Sequence, residues 1–259
     1  MALFPSARRA WPGRAVAVPL LAALGGLTIL AWLLMAWQMG RSDALSGAGV
    51  PMAPGMGGRL GIVPALLFLL LWLVMMAAMM FPSVWPVLLL YARSARSAAH
   101  VALFTLGYLL VWEGFGLLVY AGYVGVGALA MARMEMMNRL PLLTAAVLIA
   151  AGLYQFTPLK RVCLAHCQGP LDYLVAHWRV GALGALRMGV SHGAYCLGCC
   201  WGLMVALAAL GAMDLRWMAA AAVLIAIEKL GPRHAFVPSA VGGTLLIFGV
   251  AAAVVTWQG

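Results

Sequence analysis

Cysteine is the residue whose type and spacing point most directly to chemistry in this sequence. All five cysteines lie between residues 163 and 200, in two groups. The first group is Cys163 and Cys167, and the second is Cys196, Cys199 and Cys200. Thiolates are soft ligands that select Cu(I), Zn(II) or iron–sulfur centres. A lone buried cysteine usually behaves as a small hydrophobic residue, but five in one short segment favour a metal-binding or redox role.

The second cysteine group is predicted to occupy one face of a helix, together with a histidine. A helix turns about 100° per residue, which puts Cys196, Cys199, Cys200 and His192 within one sector of about 100°. The residues of the first group would also share a face if their segment is helical. Because only a short connection separates the two segments, we predict that the two helices are neighbours.

Methionine is the second potential soft ligand, and 17 methionines is a high number for a chain of 259 residues. Met75, Met76 and Met79 fall within about 100° of one helical face, with Met80 just beyond it. Thioethers are neutral soft ligands that suit Cu(I). Methionine also fills apolar cores in place of leucine, so this group is a weaker candidate than the cysteines.

Two acidic residues, Glu113 and Glu228, interrupt predicted apolar spans. An ionisable group at that depth is costly and is usually paired or functional. Lys229 follows Glu228 directly, but adjacent residues on a helix do not face each other. From the helical rise, both carboxylates, the methionines and the cysteines lie between the middle of the membrane and its cytoplasmic side. They could meet in one polar pocket, or each carboxylate could simply bond a neighbouring helix.

The elements that carry these side chains are predicted to be membrane-spanning helices. Hydrophobic residues make up 66% of the chain and charged residues 8%, whereas soluble domains carry about 25% charged residues. About 20 apolar residues cross the hydrocarbon core as a helix, and barrel strands have only about 9–11 residues. The sequence therefore predicts an all-α polytopic transmembrane bundle of about seven helices, at 17–39, 60–91, 99–128, 140–158, 187–211, 215–230 and 238–257.

The net charge of +10 does not indicate nucleic-acid binding, because the basic residues are scattered over short connections. Eleven of the 16 lysines and arginines fall in connections on one side of the predicted spans. Cytoplasmic connections carry such an excess, so the amino terminus is predicted to be cytoplasmic and the carboxyl terminus outside. The first span is longer than a signal-peptide core of about 7–15 residues and is predicted to remain uncleaved.

The chain divides into three predicted regions. Residues 1–59 form an amino-terminal span and an outer loop, residues 60–230 form a membrane core that contains the methionine and cysteine runs, and residues 231–259 form a carboxyl-terminal span. Within the core, residues 170–179 have apolar side chains at helical spacing in a piece too short to cross a membrane. That segment is predicted to lie along the membrane surface.

The fifth predicted span also contains glycines at the spacing of tight helix contacts. Gly189 and Gly193 are four residues apart, as are Gly198 and Gly202. Small residues at this spacing let neighbouring backbones approach closely. We therefore predict a close helix–helix contact along this span.

Three runs of the sequence together resemble a known family. The first is WLVMMAAMMFP at 72–82, and the second is YQFTPLKRVCLAHCQGP at 154–170. The third begins with CLGCCW at 196–201 and continues through Met204, Met213, Trp217, Met218, Glu228 and Lys229. The combination, over about residues 60–230, resembles a bacterial family of predicted metal-binding integral membrane proteins of unknown function. The resemblance implies a multi-pass protein of the bacterial inner membrane that binds a metal.

The leading hypothesis is a membrane protein that binds or transfers a soft transition metal, with copper as the first choice and zinc as the second. Its ligands are predicted to be Cys196, Cys199 and Cys200 at a central site, Cys163 and Cys167 at a cytoplasmic exit or second site, and His192, Met75, Met76, Met79 and Met80 nearby. The expected partners are the lipid bilayer and a metal-donor or acceptor protein. This pattern favours a binding or transfer protein over an enzyme.

Two alternatives remain open from the sequence. In the first, Cys196 and Cys199 form a redox pair that cycles against Cys163 or Cys167. The apolar surroundings expected for Cys196 in the middle of a helix argue against the activated thiol that such a pair needs. In the second, zinc in a closed four-ligand site stabilises a membrane scaffold, and His192 or His166 would then be a surplus ligand.

Overall fold

The computed structural model describes residues 13–46, 61–95, 97–132, 134–211, 215–231 and 236–258. Most of the predicted outer loop lies outside the described residues. The described residues form helices and no strand, which confirms the all-α prediction. In chain order the helices are α1 (Gly13–Ser46), α2 (Ile62–Ser94), α3 (Ala98–Ala132), α4 (Met134–Tyr154), α5 (Pro158–Gln168), α6 (Pro170–His177), α7 (Gly181–Gly211), α8 (Leu215–Leu230) and α9 (Phe236–Gln258).

Fewer of these helices have the length of a membrane span than the sequence predicts. Four are long and apolar enough, namely α2, α3, α7 and α9, and a fifth crossing arises if α4 and α5 form one bent span. In the described part of α1, the apolar stretch covers only Ala22–Trp37. Helix α8 has only 16 residues. Length and composition therefore support four or five crossings, against about seven predicted.

A bend of 66° between α4 and α5 turns the first cysteine group toward the helix bundle. Pro158 is the first residue of α5, and a proline disfavours the helical conformation in the residue before it. Thr157 accordingly has φ −72° and ψ 149°, and its side chain accepts a hydrogen bond from the backbone N–H of Lys160. The span predicted at 140–158 thus ends early, and α5, which was expected to be a connection, packs against α7.

Helices α3 and α7 pack with their backbones in direct contact. A Cβ atom at Gly189 would collide with the carbonyl oxygen of Phe104, and one at Gly193 would lie 3.0 Å from the carbonyl oxygen of Tyr108. A larger residue at position 189 would therefore push the two helices apart. The close contact predicted from the glycine spacing is confirmed on this side of α7.

The amphipathic segment at 170–179 contains the short helix α6. Tyr173 and Leu174 are buried, whereas Val175 is exposed, so the apolar face predicted from the spacing is divided between the bundle and its outside. Tyr173 accounts for this orientation, because its hydroxyl donates a hydrogen bond of 2.6 Å to the carbonyl oxygen of Met188 on α7. Burial raises the pKa of Tyr173 to about 12, so the hydroxyl remains a donor at neutral pH.

Candidate metal centre

The two cysteine groups meet where α5 packs against α7. The Sγ atoms of Cys167 and Cys199 are 3.8 Å apart, and the Cys196 side chain interacts with the side chains of Cys167 and Cys200. All five cysteines are buried free thiols. The prediction that these helices are neighbours is confirmed. We call this group the thiol cluster: Cys163, Cys167, Cys196, Cys199 and Cys200.

Hydrogen bonds within α7 orient the thiol groups of Cys199 and Cys200, and a glycine on α7 leaves space for a thiol of α5. Cys199 and Cys200 donate hydrogen bonds to the carbonyl oxygen of Cys196, at 3.0 and 2.9 Å. On α5, Cys163 lies against Gly198, where a Cβ atom would be only 2.6 Å from the Cys163 Sγ. A residue without a side chain at position 198 therefore lets α5 approach α7 closely.

A buried lysine lies beside the thiol cluster, and the sequence prediction did not include it in the site. Lys229 Nζ is 2.9 Å from Cys196 Sγ, 3.3 Å from Ser83 Oγ and 3.8 Å from Met80 Sδ. The expectation of apolar surroundings for Cys196 is therefore wrong. The reason is a tertiary contact, because α8 brings an ammonium group against a sulfur atom 33 residues away in sequence. An ammonium group in this position balances the negative charge of a thiolate.

His192 lies on the buried face of α7 with the cysteines, as predicted. The ring of Tyr108 stacks on the ring of His192 with their centroids 6.1 Å apart, and the Tyr108 hydroxyl is 3.0 Å from Cys196 Sγ. His192 Nδ1 has no hydrogen-bond partner among the described residues. A buried polar atom without a partner is costly, so this nitrogen is a candidate ligand one helical turn from Cys196.

The four methionines predicted as ligands are all buried on α2. Met80 approaches the Lys229 ammonium group, with Sδ 3.8 Å from Nζ. Met75, Met76 and Met79 pack in the same buried core as the thiol cluster. The described contact between the two groups is therefore indirect: Met80 contacts Lys229, and Lys229 contacts Cys196.

The two carboxylates in apolar helices have different surroundings. Glu228 forms an ion pair with Lys160, with Oε2 2.6 Å from Nζ. The side-chain amide of Gln168 donates a 2.7 Å hydrogen bond to the main-chain oxygen of Glu228, so two contacts join α5 to α8. Glu113 is half-buried, and its Oε1 has no hydrogen-bond partner in the described part of the chain. The common pocket stays a prediction: Glu228 is joined to α5 through Lys160, and no described contact links Glu113 to the thiol cluster.

The described side chains offer sulfur pairs rather than a complete cage. Within the described ranges, no three His, Cys, Asp or Glu side chains are arranged to hold one metal ion. A closed zinc site needs four ligands in a tetrahedron, which this arrangement does not provide. A sulfur pair such as Cys167 and Cys199 is a donor set suited to Cu(I).

Comparison with protein families identifies a related group. The family model for PpoB2, described as a copper chaperone, matches residues 69–252, which is more than half of the 259 residues. The chain belongs to the PpoB2 copper chaperone family. The PpoB2 match includes the whole thiol cluster together with Lys229, Ser83 and Tyr108, and it supports the metal-related family that the resemblance implied. No curated protein and no solved structure matches the chain.

Sequence reasoning missed several neighbours of the candidate site. Ser83, Tyr108 and Lys229 contact the thiol cluster or one another, and Lys160 neutralises Glu228. Lys160 carried a usable signal, since a carboxylate buried in an apolar helix needs a counter-charge and few charged residues are present to supply it. Ser83 and Tyr108 carried none, because nothing in their spacing distinguishes them from other polar residues in apolar helices.

Proposed function

We propose that this chain is a multi-pass protein of the bacterial inner membrane that binds Cu(I) at the thiol cluster and exchanges it with a partner protein. The observation that carries the proposal is the meeting of the two cysteine groups, with Cys167 Sγ and Cys199 Sγ 3.8 Å apart. Membership of a family described as a copper chaperone supports copper as the ion. Copper is here the cargo of the protein and not a resident cofactor.

The donor set favours Cu(I) over zinc. Thiolates and thioethers are soft ligands, and thioethers in particular suit Cu(I). Cys167 and Cys199 come from different helices, so an ion held between them joins α5 to α7. Met80 offers a neutral sulfur ligand close by, which would let the ion leave one thiolate without losing all of its sulfur ligands.

Lys229 gives the metal-free thiol cluster a positive charge. Its ammonium group donates to Cys196 Sγ over 2.9 Å, in a buried position where an isolated thiolate would be strongly disfavoured. A bound Cu(I) ion supplies the same charge. The ion and the ammonium group therefore compete for Cys196, and release of the ion returns this sulfur to Lys229.

The lipid bilayer is the solvent that the exposed apolar surface requires. Leu66 on α2, Leu118 on α3 and Phe248 on α9 are each at least 60% exposed, and these helices are long enough to cross a membrane. With the seven spans predicted from the sequence, the excess of basic residues in alternate connections favours a cytoplasmic amino terminus. In that seven-span topology α5 and α6 lie toward the cytoplasmic side.

Elemental analysis of the purified, detergent-solubilised chain tests this function. We expect near-stoichiometric copper in the wild type and its loss when Cys196, Cys199 and Cys200 are all replaced by serine. Met218→Leu is the matched control, because Met218 is fully buried on α8 and is outside the predicted ligand set. Copper retained at the wild-type level in the triple serine variant would end the assignment of the site, and zinc in place of copper would favour the scaffold hypothesis.

Thiol redox chemistry is the second candidate, and the 3.8 Å separation of Cys167 and Cys199 favours it specifically. Oxidation would join the two sulfur atoms and release two protons and two electrons, which an external acceptor such as a quinone must take up. Thiol trapping in intact cells distinguishes the two functions. A mixture of oxidised and reduced Cys167 would favour redox chemistry, and thiols that stay reduced in all growth conditions would exclude it.

A further inference from the structure

A second group of metal-ligating side chains lies outside the thiol cluster, where α5, α6 and α7 meet. His166 is near the end of α5 and His177 is the last residue of α6. Both are half-buried, and their ring centroids are 6.0 Å apart. Neither residue has a role in the function proposed above.

Backbone hydrogen bonds give both histidines the tautomer of a metal ligand. His166 Nδ1 is 2.9 Å from the carbonyl oxygen of Val162, and His177 Nδ1 is 3.1 Å from the carbonyl oxygen of Tyr173. A carbonyl oxygen can only accept a hydrogen bond, so each Nδ1 carries a proton, and in the neutral form of each ring Nε2 is the nitrogen with the free lone pair. Metal-ligating histidines characteristically donate their second ring nitrogen in this way.

Aromatic stacking holds the two imidazole rings in position. His166 stacks on Tyr195 of α7 with centroids 4.0 Å apart and planes 2° from parallel. His177 stacks on Tyr173 with centroids 4.6 Å apart and planes 17° from parallel. Each ring is therefore fixed by one hydrogen bond and one stacking partner, which reduces the entropy lost when a ligand is bound.

The separation of the rings fits one shared ion. With metal–nitrogen bonds of about 2.0 Å and a ring nitrogen roughly 1.1 Å from its centroid, two imidazoles on one ion have centroids at most about 6.2 Å apart. The observed 6.0 Å lies inside this limit. Imidazole is a good ligand for copper, and Cu(I) accepts linear coordination by two ligands. Two imidazole nitrogens therefore complete the coordination without a third protein ligand.

A path of rings connects this pair to the thiol cluster. Tyr173, which stacks on His177, also packs edge-on against His192 with centroids 4.7 Å apart. His192 is only 3% exposed, and its Nδ1 has no hydrogen-bond partner in the described structure. It lies one helical turn from Cys196. An unpartnered buried nitrogen thus lies between the half-exposed histidine pair and the buried thiols.

We propose that His166 and His177 form a second copper site, a two-histidine exchange site through which Cu(I) passes between the thiol cluster and the partner protein. This role rests on the function proposed above, whereas binding of the ion by the pair does not. In the topology predicted from seven spans, the exchange site lies on the cytoplasmic side.

The binding test uses the full-length chain in detergent with all five cysteines of the thiol cluster replaced by serine, because Cys163 and Cys167 would otherwise still offer sulfur ligands. Cu(I) is titrated under reducing conditions against a chromophoric Cu(I) chelator, and X-ray absorption identifies the ligand atoms. We expect a nitrogen-coordinated ion that is lost when His166→Phe and His177→Phe are added, since phenylalanine keeps the stacked rings but has no ligand atom. His100→Phe on α3 is the matched control, because His100 is also half-buried. Equal binding with and without the pair would overturn the site.

The exchange test uses the wild-type cysteines and follows the rate of Cu(I) loading by stopped flow. The His166→Phe/His177→Phe variant should reach the same final sulfur-coordinated copper content but load more slowly than the wild type, while His100→Phe loads at the wild-type rate. An unchanged loading rate would overturn the exchange role. Nitrogen-coordinated copper without any sulfur-coordinated copper would instead disprove the thiol site and leave the histidine site standing, so the two failures are distinguishable.

Discussion

Replacing Glu228 by leucine should destabilise the protein strongly, because it leaves the Lys160 ammonium group buried without a counter-charge. The two groups are 2.6 Å apart, and their side chains are 1% and 0% exposed. Removing one member of a buried ion pair costs about 3–5 kcal/mol, whereas replacing both members by apolar residues is often neutral or stabilising. The Lys160→Met/Glu228→Leu double variant should therefore recover most of the lost stability.

Thermal unfolding of the purified chain in detergent measures this effect. One kcal/mol shifts Tm by about 2–4 °C in a domain of 150–250 residues, so Glu228→Leu alone should lower Tm by roughly 6–20 °C. The double variant should unfold within a few degrees of the wild type. The difference between the single and double variants gives the coupling energy of the pair.

Copper binding should change in parallel with Tm, falling in the Glu228→Leu variant and recovering in the Lys160→Met/Glu228→Leu variant. The ion pair joins α5 to α8, and α5 carries Cys167 to within 3.8 Å of Cys199, so copper retention should fall in the single variant and return in the double variant. Glu113→Gln is the matched control, because that half-buried carboxylate has no described cationic partner. A single variant with the wild-type Tm, or a double variant as unstable as the single one, would refute the reasoning.

Three further predictions concern the helix contacts and the thiols. Gly189→Ala should lower stability by about 1–3 kcal/mol in thermal unfolding, because its Cβ meets a carbonyl oxygen of α3, whereas Gly114→Ala, with open space around it, should not. Lys229→Met removes the hydrogen bond that the ammonium group donates to Cys196, which contributes about 1.5–3 kcal/mol. Because the ion no longer competes with this bond, Cu(I) affinity should rise about tenfold or more in chelator competition. Weaker binding would contradict the competition between the ion and the ammonium group. Cys167→Ser should lower copper content more than Cys163→Ser in elemental analysis, since Cys167 has the shorter approach to a second thiol; equal losses would argue against that pairing.

The sequence was sufficient to predict the helical class and one face of the site. The spacing of Cys196, Cys199 and Cys200 predicts a common buried face, and these residues are buried with His192 on α7. The short connection to Cys163 and Cys167 predicts neighbouring helices, and α5 and α7 do pack together. Both predictions depend only on local helix geometry and chain connectivity, which a single sequence contains.

Tertiary contacts and helix ends were not predictable in the same way. Lys229 contacts Cys196 because α8 packs beside α7, and no local spacing encodes that approach. Glu228 pairs with Lys160, a residue that hydropathy assigns to a connection because the apolar run has ended there. The bend before Pro158 changed the number of long spans for a similar reason, since hydropathy alone does not show where a helix turns.

The backbone contact between α3 and α7 has a consequence for how the copper site can open. At Gly189 and Gly193 the backbones of the two helices are in contact, which leaves little room for one helix to rotate or slide against the other, so the sulfur atoms of α7 hold a fixed position. Cys167, on the other side of the site, is carried by α5, an 11-residue helix that is connected to α4 by a three-residue turn at 155–157. The gap between Cys167 and Cys199 therefore depends on the position of α5, which Lys160 and Gln168 join to α8, and a crosslink or a bound ion across that gap would join α5 to α7.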